Sequence, residues 1–233
     1  MQFTYSSDVF VSIREDALNR IAKHVMIQNP ALFNYGTDYF RTRPDRLCVP
    51  IHNPPPGMDI ITVVEALKLP GTDIRLDHCF QITEVEVDFY PSNIDFQLPV
   101  QLGKLPKNRF AVKVKVNGGI DFAPPSPINC FSVDLFATFG LEIIENSRRM
   151  SAVFFDLEFV NIEPSNLETI GEQLLRMMVQ KVLVPKMVFD LDKLVFDIGE
   201  LAHLRVVPDS GVSPNPLIDE NQLMLYLNVE TAL

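Results

Sequence analysis

The chain has 233 residues, of which 47% are hydrophobic and 21% are charged, and its formal net charge is −10. This composition is typical of a folded globular protein and lies far from that of disordered chains. The negative charge gives no general attraction to phosphate backbones, so it disfavours nucleic-acid binding. Because all-β domains of about 200–250 residues are often single units, we predict one domain over residues 1–233.

The start of the chain and its cysteines favour a cytoplasmic protein. Residues 1–20 lack a basic stretch followed by an unbroken apolar run, so no signal peptide is predicted. No run approaches about 18 uncharged apolar residues, so no transmembrane segment is predicted. Cys48, Cys79 and Cys130 are odd in number and form no CxxC pair, so their spacing indicates neither a disulfide framework nor a zinc site. A reducing compartment is the simplest interpretation.

The first predicted element is an N-terminal helix over about residues 12–29. Ser12 and Glu15 have the spacing of a capping box, in which a hydroxyl and a carboxylate satisfy free amides of the first turn. Apolar residues follow at helical spacing, and Asn29-Pro30 ends the run. Residues 30–70 are rich in proline, aromatic residues and turn signals and are predicted to be irregular.

From Cys79 the apolar period changes to two, which predicts strands of a sheet. The phase changes between Ile82 and Val85, which predicts a bulge near Thr83-Glu84. Glu84, Glu86 and Asp88 alternate and are expected to form a solvated face. Further strands are predicted at 94–102, 110–116, 131–143, 153–159, 188–198, 201–207 and 223–229, with a turn at 117–119 (NGG).

A second helix is predicted to begin near Ser165 and to end before Pro185. Its apolar residues cover an arc of about 200°, against the ~100° of an ordinary surface helix. A flat sheet cannot cover such a helix. We therefore predict an α+β fold in which a strongly curved antiparallel sheet, with the core helix, occupies residues 79–233; a two-sheet sandwich is the alternative.

The order of these elements resembles that of a known superfamily. Residues 154–160 (FFDLEFV), 163–165 (EPS) and 167–175 (LETIGEQLL) resemble the strand-into-long-helix unit of the tubular lipid-binding (TULIP) superfamily, which includes proteins similar to bactericidal/permeability-increasing protein. Residues 219–227 (DENQLMLYL) resemble its terminal strand. The resemblance covers most of residues 79–233 and, loosely, the first helix. It implies a sheet wrapped around a helix and an apolar interior that holds lipid.

The polar residues show no catalytic or metal-binding motif. His24, His52, His78 and His203 are far apart in sequence. A metal site or a Cys–His nucleophile is a hypothesis for two pairs, His52 near Cys48 and His78 beside Cys79. The favoured interpretation is that these histidines are scattered surface or packed residues. The chain has no phosphate-binding glycine loop and no GxSxG elbow. We predict no catalytic residue, no metal and no cofactor, and hence not an enzyme.

These patterns favour a non-enzymatic binding protein whose apolar interior holds lipid or another hydrophobic small molecule. The alternative is a structural or assembly subunit with a filled core that binds a protein partner or forms a homo-oligomer. The residues predicted to line the ligand site are Phe96, Leu98, Phe139, Phe155, Leu174, Met178 and Val182.

Overall fold

The computed structural model describes residues 7–51, 54, 56–68, 73, 75–93, 95–121, 128–144, 149–164, 188–190, 195–198 and 202–231. Helix α1 spans Glu15–Gln28 and the short helix α2 spans Asp38–Arg41, with 3₁₀ turns at Pro30–Leu32, Pro44–Arg46 and Val100–Leu102. The strands are β1 (Val9–Arg14), β2 (Asn34–Gly36), β3 (Thr62–Val63), β4 (Leu67–Lys68), β5 (Arg75–Phe89), β6 (Phe110–Asp121), β7 (Asn129–Ile144), β8 (Arg149–Glu163), β9 (Val188–Asp190), β10 (Val195–Ile198), β11 (Ala202–Pro208), β12 (Leu217–Asp219) and β13 (Gln222–Thr231).

The described strands form two sheets. The larger runs in the order β3-β2-β5-β6-β7-β8-β9, with β4 beside β5, and the smaller runs β1-β13-β11-β10, with β12 beside β13. Apart from the parallel pair β2–β3, the pairings in both sheets are antiparallel. Mostly antiparallel sheet with few helices agrees with the predicted α+β class. The predicted core helix falls at residues 165–187, outside the described residues.

The long strands β5 to β8 carry apolar residues on both faces. We call one side the inner face; the smaller sheet packs on it through Ile218 and Leu223. The opposite, outer face is covered by residues 30–61 at one end and by residues 92–105 at the other. The alternation predicted along β7 is confirmed, because its inner-face residues Phe131, Val133, Leu135, Ala137 and Phe139 are all buried.

A predicted change of phase in β5 is confirmed as a bulge. The register between β5 and β6 shifts between Ile82 and Glu84. Phe80 and Val87 therefore both reach the inner face, although their positions differ by an odd number. A second shift, in the β7–β8 register at Thr138/Phe139, has no counterpart in the prediction. Beyond this shift, the residues of β8 lie on the face opposite to the one that strict alternation would give them.

The turn predicted at residues 117–119 is wrong, because β6 continues through it to Asp121. The glycine at 118 serves packing: a Cβ on Gly118 would lie 2.1 Å from Cζ of Phe131, which covers that position from β7. A glycine inside a strand often marks such a close approach.

The strand predicted over residues 94–102 is also wrong. Described residues 92–103 form a loop that contains a 3₁₀ turn, Val100–Leu102. Pro91 and Pro99 have no backbone donor, which disfavours a place in a central ladder. The alternation does not divide inside from outside there, because Phe96 is buried whereas Val100 is 93% exposed.

Helix α1 confirms the first predicted helix, but its capping box is wrong. Ser12 lies in β1 and donates to Oε1 of Gln222 at 2.6 Å. The helix begins at Glu15, and its flanking Arg14 makes no side-chain cap. Because β1 pairs with β13, the preceding residues are held extended up to Arg14.

The structure joins Cys48 to Cys130 in a disulfide, which the sequence spacing did not indicate. The two residues are 82 positions apart and come from a loop and from β7. Within the described chain, no helix has the length and apolar character needed to cross a membrane.

Candidate functional site

The inner face includes an apolar stripe that is only partly covered. We call Phe154, Leu157, Phe159 and Ile162 of β8 the β8 stripe; all four pack on the inner-face clusters yet remain only half-buried. The β7 residues paired with Phe154, Leu157 and Phe159 are buried. The apolar face therefore continues from β7 onto β8, while its covering decreases.

The position of β8 in the sheet explains this difference. On the side away from β7, β8 pairs with β9 through Arg149, Met150 and Ser151. Within the described residues that pairing ends there, and the β8 stripe lies beyond it. A sheet face near such an edge needs cover from another element or from a ligand, since exposed apolar area is unfavourable in water.

The structure separates the residues predicted to line a ligand site. Phe139 lies on the inner face, with its ring 5.4 Å from Phe110 between centroids. Phe96 and Leu98 pack instead on the outer face, where the Phe96 ring lies 5.8 Å from that of Phe136. Leu174, Met178 and Val182 lie outside the described residues. Their contact with a ligand stays a prediction.

Phe155 is also on the outer face, against the expectation that it shares a face with Leu157. Its ring packs over Gly140, 3.1 Å from the position of a Cβ there, and the Arg109 guanidinium carbon is 3.4 Å from the ring centroid. The bulge in β8 places it there, because one extra residue moves the following side chains to the opposite face.

A buried polar cluster lies where α1, β5 and the β12–β13 hairpin meet, and the sequence did not predict it. Oε2 of Glu15 accepts from the backbone N–H of Phe89 at 2.9 Å, and Oε1 accepts from the side-chain amide of Asn93. Oδ1 of Asp88 accepts from the Asn93 backbone N–H at 2.9 Å. The solvated face predicted for Glu84, Glu86 and Asp88 is therefore wrong at Asp88, which is 1% exposed.

The same contacts attach α1 to β5 beyond the segment of β5 that pairs with β2. The Asn19 side-chain amide donates to the carbonyl of Val87 at 2.9 Å and accepts from its N–H at 2.7 Å. Glu15 and Asn19 are one helical turn apart, so both reach the strand edge. The backbone N–H of Glu15 donates to the Asn221 carbonyl at 3.1 Å, which adds the hairpin to the cluster. Edge strands closed in this way are protected from pairing with other chains.

Burial raises the pKa of both carboxyls in this cluster. For Glu15, the hydrogen bond from Phe89 opposes the effect of burial and the charge of Asp88 adds to it. For Asp88, hydrogen bonds with Ser92 and Asn93 oppose it. Oδ2 of Asp88 is buried without a hydrogen-bond partner. A protonated carboxyl would be less costly to bury there.

Next to the cluster is a cleft of about 360 Å³ whose lining is mostly polar. Its lining residues are Arg14, Glu15, Asp16, Asn19, Glu86, Val87, Asp88, Asn93, Asp95, Phe96 and Asn221. No group of three or more metal-ligating side chains in the described part of the chain has the geometry to hold an ion. The cluster acts as a structural junction between α1, β5 and the β12–β13 hairpin.

The hypothesis of a Cys–His pair at residues 78 and 79 does not fit the geometry. His78 packs against Phe80 on the inner side, with 5.2 Å between ring centroids, and burial lowers its pKa. Cys79 belongs to the outer-face cluster with Phe40 and Ile61. Adjacent residues of a strand point to opposite faces, so the two side chains diverge.

No protein-family model matches the chain, and no curated protein matches it. Among solved structures, the chain is similar to a lipopolysaccharide binding protein, with 13% sequence identity and a TM-score of 0.34. The match covers 97% of this chain and 51% of that protein, so the chain spans about half of its length. A likeness of this degree is too weak to assign the chain to a family.

Proposed function

We propose that the protein is a non-enzymatic binding protein that accepts an apolar ligand, such as a lipid acyl chain, along the β8 stripe. The observation that carries this proposal is the half-burial of four apolar side chains beside the buried inner-face residues Phe131 to Phe139 of β7. Leu157 and Phe159 are paired with the buried residues Ala137 and Leu135, so the exposed part adjoins the core directly.

The driving force for such binding is removal of apolar surface from water. Each Å² of buried apolar area contributes about 25 cal/mol, and the ordering of a flexible ligand offsets part of the gain. Aromatic and aliphatic side chains alternate along the stripe and present no charge, which suits a hydrocarbon chain better than a polar metabolite.

The alternative function is a subunit that binds protein. Helix α1 favours it, because Ile21 and Ile27 are 55% and 66% exposed on its surface. Exposed large apolar residues on one element are common at association sites. A protein partner or a second copy of the chain would bury them.

The disulfide bears on where this function takes place. Disulfides persist in oxidising compartments and are rare in cytosolic proteins. The Cys48–Cys130 pair therefore supports an oxidising compartment rather than the predicted cytoplasm. Rapid acid quenching of cells, followed by thiol counting, tests this: one free thiol per chain is expected, and three would contradict it.

Native mass spectrometry of the purified full chain tests the binding proposal. We expect adducts with the mass of lipid, which Leu157→Gln should reduce. Phe155→Gln is the matched control, because it makes a similar change two residues away on the opposite face. A bare chain mass with no binding of an apolar dye would contradict the proposal. If light scattering then shows an obligate oligomer, the assembly alternative is favoured.

A further inference from the structure

The three cysteines of the chain converge at one point of the outer face. In the ladder, Cys79 of β5 is paired with Gly119 of β6, and Gly119 is paired with Cys130 of β7. Residues directly opposite each other in antiparallel strands project to the same face. Cys79 and Cys130 are therefore on one face, at either side of a glycine that leaves the space between them free.

Cys48 occupies that space. A Cβ on Gly119 would lie 2.7 Å from Sγ of Cys48 and 3.0 Å from Sγ of Cys79. The Cys48 sulfur thus sits above the central strand, bonded to Cys130 on one side and adjacent to the Cys79 thiol on the other. Adjacent strands are about 4.8 Å apart, so Cys79 and Cys130, two strands apart, are too distant to bond to each other directly.

We propose that Cys48 is a shared disulfide partner, and that Cys79 and Cys130 exchange places on it. In the exchange, the Cys79 thiolate attacks Sγ of Cys48. The Cys48–Cys79 bond forms as the Cys48–Cys130 bond breaks, and Cys130 leaves as a thiolate that takes up a proton from water. The number of disulfides is unchanged, so no external oxidant or reductant is required.

The arrangement suits this reaction, because thiol–disulfide exchange needs the attacking and leaving sulfurs on opposite sides of the central sulfur. The register provides that order, with Cys79 and Cys130 flanking Gly119. The product differs in accessibility from the starting state. Cys79 is 0% exposed, whereas Cys130 is an exposed residue beside a shallow site formed with Asn117, Phe131 and Glu163. Exchange would convert a hidden thiol into one that external thiols or alkylating agents can reach.

The environment of Cys79 keeps the exchange slow at neutral pH. Burial raises the pKa of the Cys79 thiol to about 11, and hydrogen bonds with the backbone of Cys48 and Gly119 partly oppose this. Its neighbours in the outer-face cluster, Phe40 and Ile61, carry no charge. Only the thiolate attacks, so the rate should rise about tenfold for each pH unit below this pKa.

Trapping of Cys130 in the native full chain tests the proposal. The protein is incubated without reductant in iodoacetamide at about pH 7 and pH 9, quenched in acid and mapped by peptide mass spectrometry. We expect Cys130 to be alkylated together with a Cys48–Cys79 disulfide, about 100-fold faster at the higher pH. In Cys79→Ala, which lacks the attacking thiol, Cys130 should stay unlabelled.

A second variant tests the geometry without relying on the exchange rate. In Cys130→Ser, oxidised glutathione should join Cys48 to Cys79 while far-UV circular dichroism remains that of the parent protein. Equal labelling of Cys130 with and without Cys79 would overturn the proposal. So would the absence of labelling at pH 9 in the parent protein, or a folded Cys130→Ser variant that forms no Cys48–Cys79 bond.

Discussion

The two faces of the β5–β8 sheet both carry apolar residues, but they are covered differently. On the outer face, residues 30–61 and 92–105 pack over the strands and bury side chains such as Phe40 and Phe96. On the inner face the β7 residues from Phe131 to Phe139 are fully covered, whereas the β8 stripe is only partly covered. The outer face is thus closed at its two ends, whereas part of the apolar inner face remains able to accept a ligand or a partner.

The largest effect should follow loss of a side chain from the closed part of the inner face. Phe139 is 4% exposed and contacts the rings of Phe110 and Phe154. We expect Phe139→Ala to lower the free energy of unfolding by about 3–5 kcal/mol. The control Phe155→Ala, at a residue 38% exposed, should lower it by less than about 2 kcal/mol. Urea denaturation measures both, and equal losses would contradict the assignment of faces.

Overfilling the inner face should cost less. The Cβ of Gly118→Ala would overlap the ring of Phe131, so we expect a loss of about 1–3 kcal/mol in a urea titration. The double variant with Phe131→Leu should recover part of the loss, since the ring that causes the overlap is gone. Additive losses in the double variant would show that the overlap is not the cause.

A pH-dependent effect distinguishes the polar junction from both apolar faces. Because burial raises the pKa of Asp88 and of Glu15, the stability that they contribute is present below the ordinary carboxyl pKa, about 4, and is lost as pH rises through the raised values. Asp88→Asn removes one of these titrations. The variant should therefore gain stability relative to the parent protein over the pH range above about 4. Urea midpoints that shift in parallel over this range would contradict the prediction.

The smallest effect is expected in the outer-face loop. Val100 is 93% exposed, so Val100→Asp should change the free energy of unfolding by less than about 0.5 kcal/mol. If Val100 instead faced inward on a strand, as its alternation with neighbouring residues suggests, a buried charge would unfold the protein. Thermal unfolding followed by circular dichroism separates the two outcomes.

Periodicity predicted the parts of the fold whose neighbours are regular. Strand β7 and the bulge in β5 follow from alternation, because a one-sided face fixes which residues must be buried. The same reasoning failed at residues 94–102, where the pattern is equally clear. There the prolines exclude the ladder, and the apolar residues are buried singly by a loop.

The candidate site was less accessible to sequence reasoning. The bulge that turns Phe155 outward lies in β8, where residues 152–155 are all apolar and so show no change of phase. In the polar junction, Glu15 contacts Asn93, which lies 78 positions further along the chain. The pattern of a single sequence carries no information on such contacts. The Cys48–Cys130 pair could not be predicted for the same reason. A buried carboxylate and a solvated one look alike in sequence.

A fluorescence measurement can test the claim that the β8 stripe contacts an apolar ligand. The chain has no tryptophan, so Leu157→Trp introduces a single reporter on the inner face, and Phe155→Trp provides the matched reporter on the outer face. Titration with a fatty acid brominated along its chain should quench the fluorescence of the inner reporter, saturably, and leave that of the outer reporter nearly unchanged. Equal quenching of the two reporters, or none in either, would contradict the claim.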